Sequence, residues 1–315
     1  TPKNIELILL KEKLFKNIKV MKFTTKYLDI WDSDFLERTV GEKIRDLLRH
    51  KTLDLLSFKN KFFRDMEYLK KPRIQFLYIH HVFKDELEKF DTLLKSLSVH
   101  HEFISYSEGV DKVLKGEIDK PYIIISSDDG FKNNIDAAKI LDRYGIKGCF
   151  FINPASIGLN EFQQIKKFCN SNLNFPATEF MTWDDVESLL NLGHEIGSHT
   201  MNHIDISKHS LEQVESELSD SFQLINSKCG SMKHFAYPFG SYSFFNKAAM
   251  ELVYSVGYES CASAERGCYF EQETKINRND LLIKRDHVVC AWDLDHIFYF
   301  LISNSKSKKN LVNPF

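Results

Sequence analysis

From residue 73 onward the chain alternates short apolar runs with longer segments of helical period. The run Tyr122-Ile123-Ile124-Ile125 has no polar member to turn to water, which is typical of a strand covered on both faces. Gly148–Ile152 is built the same way. Strands are further expected over Ile74–Val82, His194–Ser198, His234–Tyr237, Tyr258–Ala262 and Leu281–Val289. Helices are expected over Asp85–Leu97, Asn133–Tyr144 (closed by Gly145), Asn160–Phe168, Leu211–Lys228, Phe244–Val256 and Asp293–Ile302. Another is expected over Trp183–Leu192, with Thr182 as its N-cap. Repeated alternation of this kind implies parallel strands joined by crossover helices, in an α/β barrel or a doubly wound sheet. Neither G-x-G-x-x-G nor G-x-x-x-x-G-K-[ST] occurs, so a nucleotide fold has no phosphate loop to support it. A barrel carries its functional groups at the C-terminal ends of its strands.

The chain is long enough, at 315 residues, to bury a core without disulfide staples. Its 42 Lys and Arg balance 44 Asp and Glu, which leaves no global electrostatic footprint for nucleic acid. The balance is uneven along the chain, since residues 1–70 hold 16 basic and 11 acidic side chains. Leu36, Val40, Ile44, Leu47 and Leu48 recur there at helical spacing. We therefore expect a mostly helical extension over 1–70, a catalytic or binding domain over 71–305 and a polar tail over 306–315. The extension has three readings: a packed cap, a docking or oligomer surface, or a mild binder of anionic surfaces. The six cysteines form no C-x-x-C pair and read as reduced thiols. No run reaches the ~20 apolar residues of a membrane span, and Ile297–Ile302 is the longest candidate. No secretory signal is visible around Ile8–Leu10, so a cytoplasmic protein is expected. The chain does not begin with Met, which keeps a secreted or envelope location as the alternative.

Three strand ends carry chemistry. Tyr122–Ile125 runs into Ser126-Ser127-Asp128-Asp129-Gly130, where adjacent carboxylates follow a buried strand. Such groups are costly unless paired, solvated or metal-bound, although Asp-Gly is also an ordinary turn signal. His194–Ser198 runs into His199-Thr200-Met201-Asn202-His203. Two imidazoles four residues apart can hold one ion, and with one carboxylate they leave positions open for water and a substrate oxygen. The third end, Phe235-Ala236-Tyr237-Pro238-Phe239-Gly240, is a stiff, sharp turn able to aim a backbone N–H at a developing oxyanion.

Together these segments resemble the polysaccharide deacetylase family, also called the NodB-homology or carbohydrate esterase 4 family. Ser126–Gly130 is similar to its T-F-D-D-G motif, His199–His203 to H-[ST]-x-x-H, and Phe235–Gly240 to F-A-Y-P-[FY]-G. Gly193–Ser198 and Trp183-Asp184-Asp185 extend the likeness, which covers roughly residues 73–290. The resemblance implies a distorted (β/α) barrel and metal-dependent removal of an N-acyl group from an amino sugar. It implies Asp129, His199 and His203 as ligands of zinc, or of another divalent ion such as cobalt or nickel. Asp128 would be the general base, and the backbone at Tyr237, Pro238 and Phe239 would face the oxyanion. The chain has Ala236 where many relatives carry a base-orienting Arg, and Arg285 either replaces it or is a surface residue. Phe76-Leu77-Tyr78-Ile79-His80-His81-Val82 resembles the opening strand of the circularly permuted subgroup, which makes His80, or alternatively His81, the general acid. The implied substrate is an N-acetylated or N-formylated amino sugar in surface-glycan synthesis, nucleotide-linked, lipid-linked or polymeric. Two other readings stand beside it, a non-catalytic glycan-binding scaffold and an unrelated metallohydrolase.

Overall fold

The computed structural model describes residues 26–30, 40–62, 65–272, 275–306 and 315. Its strands are β1 (Arg73–Ile79), β2 (Glu102–Phe103), β3 (Pro121–Ser127), β4 (Cys149–Ile152), β5 (Glu195–Ser198), β6 (His234–Ala236), β7 (Ser260–Ala262), β8 (Leu282–Ile283) and β9 (Arg285–His287). Its helices are α1 (Val40–Phe62), α2 (Leu87–Leu97), α3 (Tyr106–Lys115), α4 (Asn134–Arg143), α5 (Phe162–Phe168), α6 (Trp183–Asn191), α7 (Leu211–Cys229), α8 (Lys247–Val256) and α9 (Leu294–Ser305).

Every named strand pairing is parallel, in the order β8-β7-β6-β5-β4-β3-β1-β9, with β2 beside the start of β3. The expected strand Leu281–Val289 is in fact two. Leu282 and Ile283 pair with β7, and Arg285–His287 pair with Phe76–Tyr78 of β1. The chain changes partners across Lys284 and so joins the two ends of the sheet into a barrel. The distorted (β/α) barrel expected from the motifs is the fold observed.

Alternate strand residues face two cores, as the two-residue period of a strand requires. Ile74 and Phe76, Tyr122 and Ile124, Cys149 and Phe151, Ala236, Ala262 and Ile283 fill the barrel. Leu77, Ile79, Ile123, Ile125, Phe150, Phe235 and Leu282 lie under the helices. Small residues make room for the inner rings: a Cβ on Gly197 would stand 2.4 Å from the Phe151 ring.

Local chemistry sets the helix starts. Thr182 with Asp185, and Ser210 with Gln213, form reciprocal capping boxes that open α6 and α7. Helix α3 and the short β2 were not expected. Their signal was present in Ser105, which accepts from the Glu108 N–H, and in Gly116, which ends α3 at φ 75°. The six cysteines are free, five of them buried, as expected.

Helix α1 confirms a helical segment ahead of the barrel. Among its described side chains Leu53 and Ser57 are buried, and the Ser57 hydroxyl donates to the Asp295 carbonyl of α9 at 3.1 Å. The apolar positions that signalled the helix, Ile44, Leu47 and Leu48, are 54–62% exposed. Leu36 and residues 306–315, apart from 306 and 315, lie outside the described residues, as do most of residues 1–39. Among the described residues no helix is long and apolar enough to cross a membrane.

Candidate metal centre and acid-base groups

Most of the candidate residues gather at one end of the barrel because each follows a parallel strand pointing the same way, and Arg285, which opens β9, reaches them with its side chain. His80 follows β1, Asp128 and Asp129 follow β3, His199 and His203 follow β5, Tyr237–Phe239 follow β6, and Arg285 lies in β9.

Asp129, His199 and His203 are buried and form one cluster. The two Nε2 atoms stand 3.5 Å and 3.4 Å from Asp129 Oδ1. The other ring nitrogens are occupied: His199 Nδ1 bonds the Ala236 carbonyl at 2.7 Å, and His203 Nδ1 bonds the Asn172 carbonyl at 2.9 Å. A carbonyl only accepts, so each Nδ1 carries the proton and each Nε2 presents a lone pair. Burial lowers the pKa of His199, and burial with the nearby His199 lowers that of His203 well below the ordinary value, so both rings are neutral. Asp129 Oδ1 is buried with no hydrogen-bond partner. Burial, then the charge of Asp128, raises its carboxyl well above the usual range. Two lone pairs and an orphaned carboxylate oxygen within reach of one another are the donor set of a divalent ion, and the residues fit one.

Asp128 has an opposite environment. Arg285 is 1% exposed and clamps it with two bonds, Nη1 to Oδ1 at 2.7 Å and Nη2 to Oδ2 at 2.8 Å. The fork is itself fixed by Nε donating to the Ser263 carbonyl at 2.9 Å, and it lies between the rings of Tyr78 and Phe151. Burial alone would raise the Asp128 pKa; Arg285 and then His199 more than reverse it, and the carboxyl stays below its ordinary value. The surface reading of Arg285 is therefore wrong. An inward-facing position on the barrel's closing strand buries it.

His80 and His81 diverge. His80 Nδ1 is 3.1 Å from His287 Nε2, and its ring titration is influenced by Asp128 and His199. Burial lowers its pKa to about 4. His81 is instead stacked between Phe83 and Phe175. In the third motif, the Tyr237 N–H donates to the Ala262 carbonyl at 3.2 Å and Pro238 has no N–H, so neither supplies an oxyanion donor. The Tyr237 hydroxyl ties the turn to the Gly240 carbonyl at 2.8 Å, and the Phe239 ring packs edge-on against His203.

Backbone strain marks the same end. Five non-glycine residues among those described have φ in the left-handed region, and four of them are Asp129, Thr200, His203 and Phe239. Such conformations cost about 1–3 kcal/mol each and persist where the surroundings over-determine them. Asn153, which motif reading missed, does part of this. It is fully buried after β4, and its amide donates to the carbonyls of His199 and Thr200. His287 and Asn172 were missed as well. Only their partners carry a motif, and Asn172 acts through its backbone.

Comparison with known proteins agrees with this geometry. Residues 115–261 match the polysaccharide deacetylase family model. The chain is 25% identical over 147 residues to the putative polysaccharide deacetylase YxkH of Bacillus subtilis (strain 168), a match spanning 46% of this chain and 45% of that protein. Its fold is similar to a Streptococcus pyogenes deacetylase, PplD, solved with acetate, at TM-score 0.56 and 17% identity over 72% of this chain and 98% of that one. It is also similar to IcaB from Ammonifex degensii, at TM-score 0.55 and 14% identity over 76% and 99%. The polysaccharide deacetylase BC0361 from Bacillus cereus gives TM-score 0.57 and 16% identity over 74% and 69%. The chain resembles the polysaccharide deacetylase family in sequence across its central segment and has that family's barrel fold.

Proposed function

We propose that this chain is a metal-dependent hydrolase that removes an N-acetyl or N-formyl group from an amino sugar. The observation that carries the reading is Asp129 Oδ1, buried without a hydrogen bond and faced by the Nε2 atoms of His199 and His203. A divalent ion there, zinc in our reading, supplies Lewis acidity that lowers the pKa of a water and polarises the acyl carbonyl.

Asp128 is the base that takes the proton of the attacking water. Its low pKa keeps it ionised, and the Arg285 fork fixes its orientation. His80 delivers a proton to the departing amine as the amide C–N bond breaks. The His287 contact aims its ring. The Phe239 turn walls the site beside His203. The sugar's setting in surface-glycan synthesis rests on the family resemblance.

The test is acetate and formate release from free, nucleotide-linked, lipid-linked and polymeric N-acyl amino sugars, after chelation and after metal add-back. We expect release that requires metal and is lost in Asp128→Asn. Absence of both release and bound metal would favour the non-catalytic glycan-binding reading. His80→Ala should depress release from substrates with poor leaving amines, and His81→Ala should not.

A further inference from the structure

We propose a second metal site, on the flank of the barrel where α1 meets the start of α9, made by His50, Asp54, Asp293 and His296. His50 and Asp54 are four residues apart and share one face of α1. Asp293 is the residue before α9, and His296 lies in its first turn. His50 Nε2 is 2.9 Å from Asp293 Oδ2, and its Nδ1 is 3.4 Å from Asp54 Oδ2. His296 Nε2 is 2.9 Å from Asp54 Oδ1. One donor atom from each of the four lies within 4.8 Å of all the others.

Bonds of about 2.0–2.2 Å in a tetrahedral zinc site place the donors about 3.4 Å apart. The present spacings straddle that value, so side-chain adjustment of about an ångström would close the shell. His50 adds a chemical reason. A neutral imidazole has one N–H and one lone pair, yet both of its nitrogens face carboxylate oxygens. The second contact therefore calls for a positive charge there, either a second proton on the ring or a bound cation. His296 is 5% exposed, so one of the four candidate ligands is a buried imidazole, and Asp54 Oδ1 holds its Nε2 at 2.9 Å. Two neutral imidazoles and two carboxylates balance a dication. A full set of four protein ligands is the pattern of a structural ion, whereas the barrel cluster offers three and leaves room for chemistry.

The consequence is mechanical. α1 is held to α9 by Ser57 on the Asp295 carbonyl, and to the turn before α9 by Arg49 over the Trp292 ring at 5.5 Å. An ion bridging residues 50 and 54 to residues 293 and 296 staples the helical segment to the barrel.

The test uses the full-length chain, stripped with chelator and titrated with zinc, and reads bound metal and melting temperature. The His199→Ala/His203→Ala variant should still bind one ion per chain, and its melting temperature should rise with zinc. Cobalt in that variant should give the visible absorption of a tetrahedral complex. Adding His50→Ala should weaken the ion by about 100-fold or more and abolish the melting shift, since even outer-shell partners are worth about 10–100-fold. The His50 side chain is 54% exposed, so its truncation leaves the core intact. If the His199→Ala/His203→Ala variant binds no ion, or binds one whose affinity is indifferent to His50→Ala, the site does not exist.

Discussion

The two ends of the barrel bury similar groups and treat them in opposite ways. At the N-terminal end, Glu195 opens β5, His234 opens β6 and Ser260 opens β7, and Ser107 of α3 reaches in among them. Ser107 donates its backbone N–H to Glu195 Oε1 at 3.0 Å and its hydroxyl to Oε2, and lies 2.8 Å from His234 Nε2. His234 Nδ1 closes the chain on the Ser260 hydroxyl at 2.9 Å. Each polar atom of these four side chains has a partner. At the C-terminal end, Asp129 Oδ1 has none, the backbone is strained at four residues, and two carboxylates adjacent in sequence are held in opposite charge environments. One end is spent on holding the barrel shut. The other keeps unspent electrostatic potential, which a bound cation and a substrate can use.

That contrast can be broken most severely at Asp128. Asp128→Asn should retain metal and lower turnover by about 100- to 10,000-fold, the usual worth of a positioned base, measured by acetate release beside a metal assay. Arg285→Met comes next. It leaves Asp128 charged and buried without its partner, and chemical denaturation should find about 3–5 kcal/mol less stability. Asn153→Ala removes the donor to two carbonyls of the strained turn. It should weaken metal binding by about 10- to 100-fold, and unchanged binding would show that the turn holds itself.

Two smaller effects sharpen the comparison. Asp129→Asn should abolish metal binding yet raise the melting temperature of the chelated protein, because it removes a lone buried carboxylate. A fall in melting temperature would place Asp129 with the satisfied groups. Glu195→Gln should act only on the acid limb. Burial pushes the Glu195 carboxyl up, but the bonds to His234 and Ser107 bring it down to about 2. A carboxyl depressed on folding contributes stability above its unfolded value near 4.5 and loses it as pH falls toward 2. The slope of melting temperature against pH between 5 and 2.5 should therefore flatten in the variant.

What was legible in the sequence follows the range over which each signal acts. The apolar runs at Tyr122–Ile125 and Gly148–Ile152 announced buried strands, because covering on both faces leaves no polar alternation. Asp129, His199 and His203 stood out because their motifs are local, and the fold had only to bring two strand ends together. Arg285 could be noticed but not placed, since its partner is 157 residues away. Asn153 and His287 had no signal of their own, as each acts on another residue's motif across the barrel. The split of Leu281–Val289 was invisible for a related reason: hydrophobic pattern records whether a strand is covered, not which neighbour it pairs with. On α1 periodicity found the helix but left its buried side open, and the helix exposes Ile44, Leu47 and Leu48.

The change of partners across Lys284 bears on how the protein is made. Synthesis runs from β1 to β9, and the counter-charge for Asp128 resides in the last strand to emerge. Until then the sheet has an open seam between β8 and β1, and Asp128 has no guanidinium partner. Closing the seam and pairing Asp128 are one event, dependent on contacts of high sequence separation. A chain stalled before residue 285 would thus be unclosed and would leave Asp128 without its guanidinium.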